Sequence, residues 1–160
     1  MIFVKPLGVL FVCLGNICRS PLAAEVFRHH VSQHGLDSRF HIDSCGTGGW
    51  HVGERAHSGS LAVAKKHGIS LDSHRARQLS REDFRRFDLF VALDRSNYAE
   101  IIAQAGVAAP EVVLLRQFEP SADDLDVPDP YYLPRDSFEE VFRIIDRAAE
   151  GLLHSLQNRL

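Results

Sequence analysis

Two stretches of the chain, GVLFVC (8–13) and the centre of DLFVALD (88–94), run hydrophobic without alternation. Continuous apolar runs of this length suit strands buried on both faces, as in a parallel sheet. FHIDSCG (40–46) and EVVLLRQF (111–118) are weaker strand candidates, because polar residues interrupt them. Between these runs the pattern turns helical: Leu22 to His34 stopping at Gly35, Ser60 to His67 stopping at Gly68, and Asn97 to Gln104 stopping at Gly106. Glycine just past a helical run is the usual stop signal. A last helix, roughly Phe138 to Leu156, lines up Phe138, Val141, Phe142, Ile145, Ala148, Leu152 and Leu153 on one face.

Strands alternating with helices predict an α/β fold, with a parallel sheet reached by right-handed crossovers and covered on both faces. Such sheets carry their chemistry beyond the carboxyl ends of the strands. Attention therefore falls on Cys13 to Ser20 after the first run, Ser44 in the second and Asp94 to Asn97 after the third. Residues 119–136, most of them DDLDVPDPYYLPRD, are too rich in Pro and Asp for regular structure and read as a long functional loop. Its acidic run, Asp123, Asp124 and Asp126, reads as a solvated surface.

At 160 residues the chain is expected to form a single domain, 1–160, with one good core. The net charge of −3 comes without any basic block, so nucleic acid is not an expected partner, and an anionic ligand must be held by local groups. The three cysteines, Cys13, Cys18 and Cys45, are odd in number and lie in the first third of the chain, which is not a disulfide framework. The segment from Leu7 to Leu14 is short for a signal-peptide core and lacks a small-residue cleavage site. No membrane association is expected, and the expected location is cytoplasmic.

CLGNICRS (13–20) holds the most pointed chemistry. A loop from Cys13 to Arg19, leading into a helix that opens at Ser20-Pro21, turns successive backbone N–H groups toward one point. Proline is favoured at a first helical position because its missing N–H has no partner there anyway. The helix terminus adds unpaired donors and a positive dipole end, so the whole makes an anion site. Gly15 is expected to allow the backbone angles of a tight nest, and Asn16 is among the side chains that tolerate them best. Arg19 can grip two oxygens of a tetrahedral anion with its planar fork. A ring of donors also stabilises a thiolate, which suits Cys13 as a nucleophile. The hydroxyl of Ser20 can hydrogen-bond that sulfur. Attack on phosphorus gives a cysteinyl-phosphate that water then hydrolyses.

That reaction needs an acid for the leaving oxygen and a base for the water. In VPDPYY, Asp129 sits between two prolines that restrict its backbone, and one carboxyl can serve both halves. Tyr131 and Tyr132 can wall a slot for an aromatic leaving group.

CLGNICRSP near one end and DPYY near the other resemble the low-molecular-weight protein tyrosine phosphatases. DSCGTGGWHVG (43–53), HRARQLSREDF (74–84) and LDRSN (93–97) are similar to further segments of that family. The resemblance implies a flavodoxin-like, doubly wound three-layer sandwich with a four-stranded parallel sheet. It implies Cys13 as nucleophile, Arg19 on the phosphate, Asp129 as general acid, and a phosphate loop of Leu14, Gly15, Asn16, Ile17, Cys18, Arg19 and Ser20. Asn16, Ser20, Ser44 and His74 match positions that brace the loop by hydrogen bonds, and Asp94 matches a supporting residue. Ile17, Trp50, Tyr131 and Tyr132 match the walls of the substrate slot. No cofactor and no metal is implied. The implied partners are a phosphotyrosine-containing protein and inhibitory oxyanions such as phosphate and vanadate, and the implied assembly is a monomer or weak dimer.

Two segments depart from the family pattern. GERAHSGS (53–60) replaces a stretch often Pro-rich with an Asp-x-Arg, at the mouth of the slot; Cys45 stands where a smaller residue is more usual, and reads as a buried, inert thiol. A metal site at Cys13 and Cys18 lacks a second compact ligand pair, and Arg19 opposes a cation. Arsenate reduction needs relay cysteines further along, and residues 46–160 have none. Arginine phosphatases resemble this loop with Thr where Ile17 stands. A non-catalytic binding module predicts loss of Cys13 or Asp129. Cys18 either packs or traps an oxidised Cys13 as a disulfide. His29, His30, His34, His51, His57 and His67 read as surface or helix-face residues.

Overall fold

A computed structural model describes residues 4–160. Four parallel strands, β1 (Leu7–Cys13), β2 (Phe40–Gly46), β3 (Leu89–Ala92) and β4 (Glu111–Leu114), form one sheet in the order β2-β1-β3-β4. The helices are α1 (Arg19–Gln33), α2 (Ser58–Lys66), α3 (Asp83–Arg86), α4 (Arg95–Ala105) and α5 (Ser137–Gln157). Side chains alternate across a strand, so the unbroken apolar run of β1 serves two cores at once. Val9, Phe11 and Cys13 join Leu22 and Phe27 of α1, Val63 of α2, and Ile145 and Leu152 of α5. Leu10 and Val12 join Phe90 of β3 and Ile101 of α4 on the opposite side, with Phe84 of α3 packed against them. Helices cover both faces of the parallel sheet, as the pattern predicted, in the three-layer, doubly wound arrangement that the resemblance implied.

The register decides where chemistry can sit. Cys13 pairs with Gly46 and Val12 with Ala92, so β1, β2 and β3 end at one level. From β1 the chain moves outward to β2 on one side and returns to β3 and β4 on the other. The reversal opens a crevice beyond the carboxyl ends of the strands.

The structure differs from the sequence reading at four places. EVVLLRQF is a strand only to Leu114, because Gln117 Oε1 takes the Leu114 N–H at 2.7 Å and residues Leu115–Phe118 coil into a 3₁₀ turn. Helix α1 begins at Arg19, which makes Pro21 its third residue and not its first; the missing N–H still falls among the four that have no intrahelical acceptor. Helix α3 is too short to show periodicity. The acidic run is solvent-exposed as expected, but arginines also hold it: Arg116 reaches Asp123 at 2.7 Å, and Arg95 reaches Asp124 and Asp126 at 3.2 Å each. Among the described residues no helix is long and apolar enough to cross a membrane.

Candidate active site

The turn after β1 is tied down by its carbonyls. Thr47 N–H donates to Cys13 O and Gly48 N–H to Leu14 O, both at 2.9 Å, and His57 N–H donates to Ile17 O at 2.8 Å. His74 Nε2 donates to Asn16 O at 2.7 Å, and Ser60 Oγ to Cys18 O at 2.9 Å. Five carbonyls thus face outward onto fixed donors. The N–H groups of Leu14, Gly15, Ile17 and Cys18 donate to no protein atom among the described residues. An arc of free amides leading into a helix N-terminus is an oxyanion cradle.

Asn16 makes the turn possible. Its φ is +58°, the left-handed region expected of it, while Gly15 does not need positive φ. Gly15 serves differently from the expectation: a Cβ there would lie 2.9 Å from the His51 ring. The Asn16 side chain, fully buried, donates to Ser20 Oγ at 2.8 Å and Ser44 Oγ at 3.0 Å, and accepts the Arg77 N–H at 2.9 Å. Ser20 Oγ lies 2.9 Å from Cys13 Sγ, and the Asn16 N–H points at the same sulfur at 3.3 Å. Cys13, at 2% exposure, is therefore met by a hydroxyl and an amide at the floor of the cradle.

Arg19 is buried and fixed from behind. Its Nη1 donates to Asp94 Oδ2 at 2.7 Å and to Val127 O at 3.0 Å. Asp94 Oδ1 meanwhile caps α4 through the Asn97 N–H at 2.7 Å, so one carboxylate holds a helix and the guanidinium together. Burial draws the Arg19 pKa down, but the charge at Cys13, the Asp94 hydrogen bond and the Asp129 carboxylate outweigh it and raise it. The cation persists at every accessible pH. Burial, then Asp129 and Cys13, push the Cys18 thiol up to about 12 against the pull of Arg19, so it stays protonated beside its neighbour. Burial likewise raises Cys45, in keeping with an inert thiol. Burial lowers the His74 pKa, leaving a neutral ring whose Nε2–H serves Asn16 O.

Above the cradle lies a cavity of about 380 Å³. Cys13, Leu14, Gly15, Ile17, Cys18 and Arg19 of the turn line it, together with Trp50, Asp129, Tyr131 and Tyr132. Asp129 Oδ2 stands 3.5 Å from Arg19 Nη2, and Oδ1 accepts the Tyr131 N–H at 3.1 Å. Ile17 is buried, whereas Trp50 at 72% and Tyr132 at 92% exposure form the lip and not the deep wall. Asn16, Ser20, Ser44, His74 and Asp94 sit behind the cradle as braces. The residues predicted to form the site all lie together here, lining the cavity or directly behind the cradle.

Sequence reasoning missed several others. His51 lines the cavity, with Nδ1 3.0 Å from Glu54 Oε2, and His57 lies against Tyr131, so neither is a bystander on the surface. Gly46 abuts the cradle, where a Cβ would come within 2.7 Å of Leu14 O. Arg77 supplies an amide to Asn16 while its guanidinium spans Asp43 and buried Asp83. What marks Gly46 is its place opposite Cys13 in the register, which is invisible before the sheet is assembled. No group of three or more His, Cys, Asp or Glu among the described residues is placed to hold a metal ion.

Residues 8–160 match the family profile described as low molecular weight phosphotyrosine protein phosphatase. The chain belongs to that family. A low molecular weight protein-tyrosine-phosphatase of Streptomyces coelicolor is 46% identical over 156 residues, covering 95% of this chain and 94% of the relative. The crystal structure of YfkJ from Bacillus subtilis superposes with a TM-score of 0.91 at 40% identity, covering 98% of each chain. A protein tyrosine phosphatase from Entamoeba histolytica, solved with Hepes in the active site, gives 0.90 at 34% identity over 96% of this chain and 98% of that one. Low molecular weight phosphatases work through a cysteine nucleophile, and this chain is accordingly a hydrolase, a protein tyrosine phosphatase acting on phosphoproteins.

Proposed function

We propose that residues 1–160 act as one phosphatase domain in which Cys13 is the nucleophile, Arg19 the phosphate clamp and Asp129 the general acid and base. The observation that carries this reading is the sulfur of Cys13 at the floor of an arc of free amides, with Arg19 beside it and Asp129 above. A phosphotyrosine side chain enters with its ring against Ile17 and Tyr131, and Trp50 and Tyr132 close over it at the lip. The free amides of Leu14, Gly15, Ile17 and Cys18 and the Arg19 fork take the three non-bridging oxygens, and they hold them more tightly as charge builds on them. Cys13 attacks phosphorus in line with the leaving oxygen, to which Asp129 gives its proton. The S–P bond forms as the P–O bond breaks. The resulting carboxylate then takes a proton from water, the hydroxide displaces the thiolate, and the hydrogen bond from Ser20 eases the departure of sulfur.

Depth gives selectivity. A thiolate at the bottom of a slot is reached by an aryl phosphate and not by the shorter phosphoserine. The apolar Ile17 favours a ring over a phosphoguanidinium. The same cradle takes phosphate and vanadate as inhibitors. A cytoplasmic enzyme, monomeric or weakly dimeric, is the setting consistent with a nucleophilic thiol. The deciding experiment is hydrolysis of phosphotyrosine, phosphoserine and phosphoarginine peptides without added metal, by the wild type and Cys13→Ser. The expected result is turnover of phosphotyrosine alone, abolished in Cys13→Ser; equal turnover of phosphoserine, or activity surviving the substitution, overturns it.

A further inference from the structure

The unusual segment GERAHSGS places a histidine where three parts of the site meet. His57 immediately precedes α2. Its backbone N–H holds Ile17 O at 2.8 Å, and its Nδ1 accepts the Gly59 N–H at 2.9 Å, capping the helix. An accepting Nδ1 leaves the ring proton on Nε2. Burial, reinforced by Arg135 and opposed by Asp129, lowers the His57 pKa and keeps that neutral form. The ring stacks on Phe138 at the start of α5, with centroids 5.0 Å apart, and meets Tyr131 edge-on at 5.7 Å. Phe138 cannot retreat, because α2 is pressed against it: a Cβ on Gly59 would fall 2.5 Å from its ring.

Asp129 needs such support. Its side chain is 42% exposed and its Oδ2 lies 3.5 Å from Arg19, beyond a good hydrogen bond. The Tyr131 N–H on Oδ1 is its closest tether. His51 touches the Tyr131 ring as well, at 5.8 Å, but its own anchor Glu54 is more than half exposed. The Tyr132 ring is closer, at 4.6 Å, but is almost wholly exposed, so among the described residues only His57 approaches Tyr131 with a packed ring and a helix end behind it.

We propose that His57 is a positioning residue for the general acid: its ring holds Tyr131 in place, and the Tyr131 amide in turn aims the Asp129 carboxyl. The inference rests on the assignment of Asp129 as acid made above. A purely structural role, capping α2, makes a different forecast, and two variants separate them. His57→Asn keeps a good capping acceptor and removes the ring; His57→Phe keeps a ring and removes the cap.

The readout is the ratio of kcat/KM for para-nitrophenyl phosphate, which barely needs an acid, to that for phenyl phosphate, which does. With His57→Asn, kcat/KM for phenyl phosphate should fall roughly 10-fold and that for the nitrophenyl ester less than about 2-fold, with little change in Tm. His57→Phe should melt lower yet keep the wild-type ratio. If His57→Asn leaves the ratio unchanged, or His57→Phe shifts it as far, the histidine is a helix cap and the inference is overturned. Asp129→Asn, measured alongside, keeps the two levels apart. A raised ratio there with none in His57→Asn removes His57 alone, whereas an unchanged ratio in Asp129→Asn removes the acid assignment itself.

Discussion

Asn16 lies behind the cradle, fully buried between Ser20, Ser44 and Arg77. It occupies a left-handed backbone position, satisfies two serines and accepts an amide from Arg77, all out of solvent. Asn16→Ala strains the backbone at φ +58° and strands a buried amide donor, while Ser20 loses the partner that orients it toward Cys13. Each unmet buried group costs about 1–3 kcal/mol, so a total loss of about 3–5 kcal/mol is expected, seen as a lower denaturant midpoint. Activity should drop by more than about tenfold even where the variant is folded, because the arc of amides no longer converges. A midpoint within about 1 kcal/mol of wild type sinks this account of the cradle. The tolerance of Asn for the turn was legible in the sequence, since it follows from residue type alone. The duty of Gly15 was not, because it depends on a histidine ring 36 positions away that the fold brings alongside.

At the scale of elements, the strands β1 and β3 and the long amphipathic α5 were plain in the chain, since their burial is written in periodicity. The end of β4 and the whole of α3 were not, because they are set by the Leu114 and Ser80 N–H groups donating to the Gln117 and Asp83 side chains. Gly151 is the instructive case. In a helix interior glycine costs about 1 kcal/mol against alanine, so an alanine at this position looks stabilising on sequence grounds. In the fold, however, a Cβ on Gly151 would lie 2.0 Å from Phe118 O, at the very point where the chain leaves its 3₁₀ turn for the loop that carries Asp129. Backbone cannot swing aside as a side chain can. Gly151→Ala should therefore destabilise by about 1–3 kcal/mol, with the sign opposite to the propensity forecast. Chemical denaturation decides it, and a more stable Gly151→Ala protein would show that α5 can slide away from the turn.

Across the whole molecule the site and the fold share the same buried groups, so pH reaches both. His57 and His74 each have a pKa lowered from the ordinary 6.5, chiefly by burial. The unfolded chain takes up protons at these rings as pH falls through 6.5, while the folded protein resists until its own lower pKa. Where the unfolded state binds more protons, stability rises with pH. The stabilising contribution is thus complete above the unfolded value and lost on acidification through the window below it. Tm should fall between about pH 7.5 and about pH 5. His74→Gln tests the origin. An amide can still donate to Asn16 O, but it takes no proton, so the variant should show a shallower acid slope than wild type. Parallel Tm slopes for the two proteins would move the acid sensitivity away from His74, and would leave the hydrogen bond to Asn16 as a structural brace without a role in the response to pH.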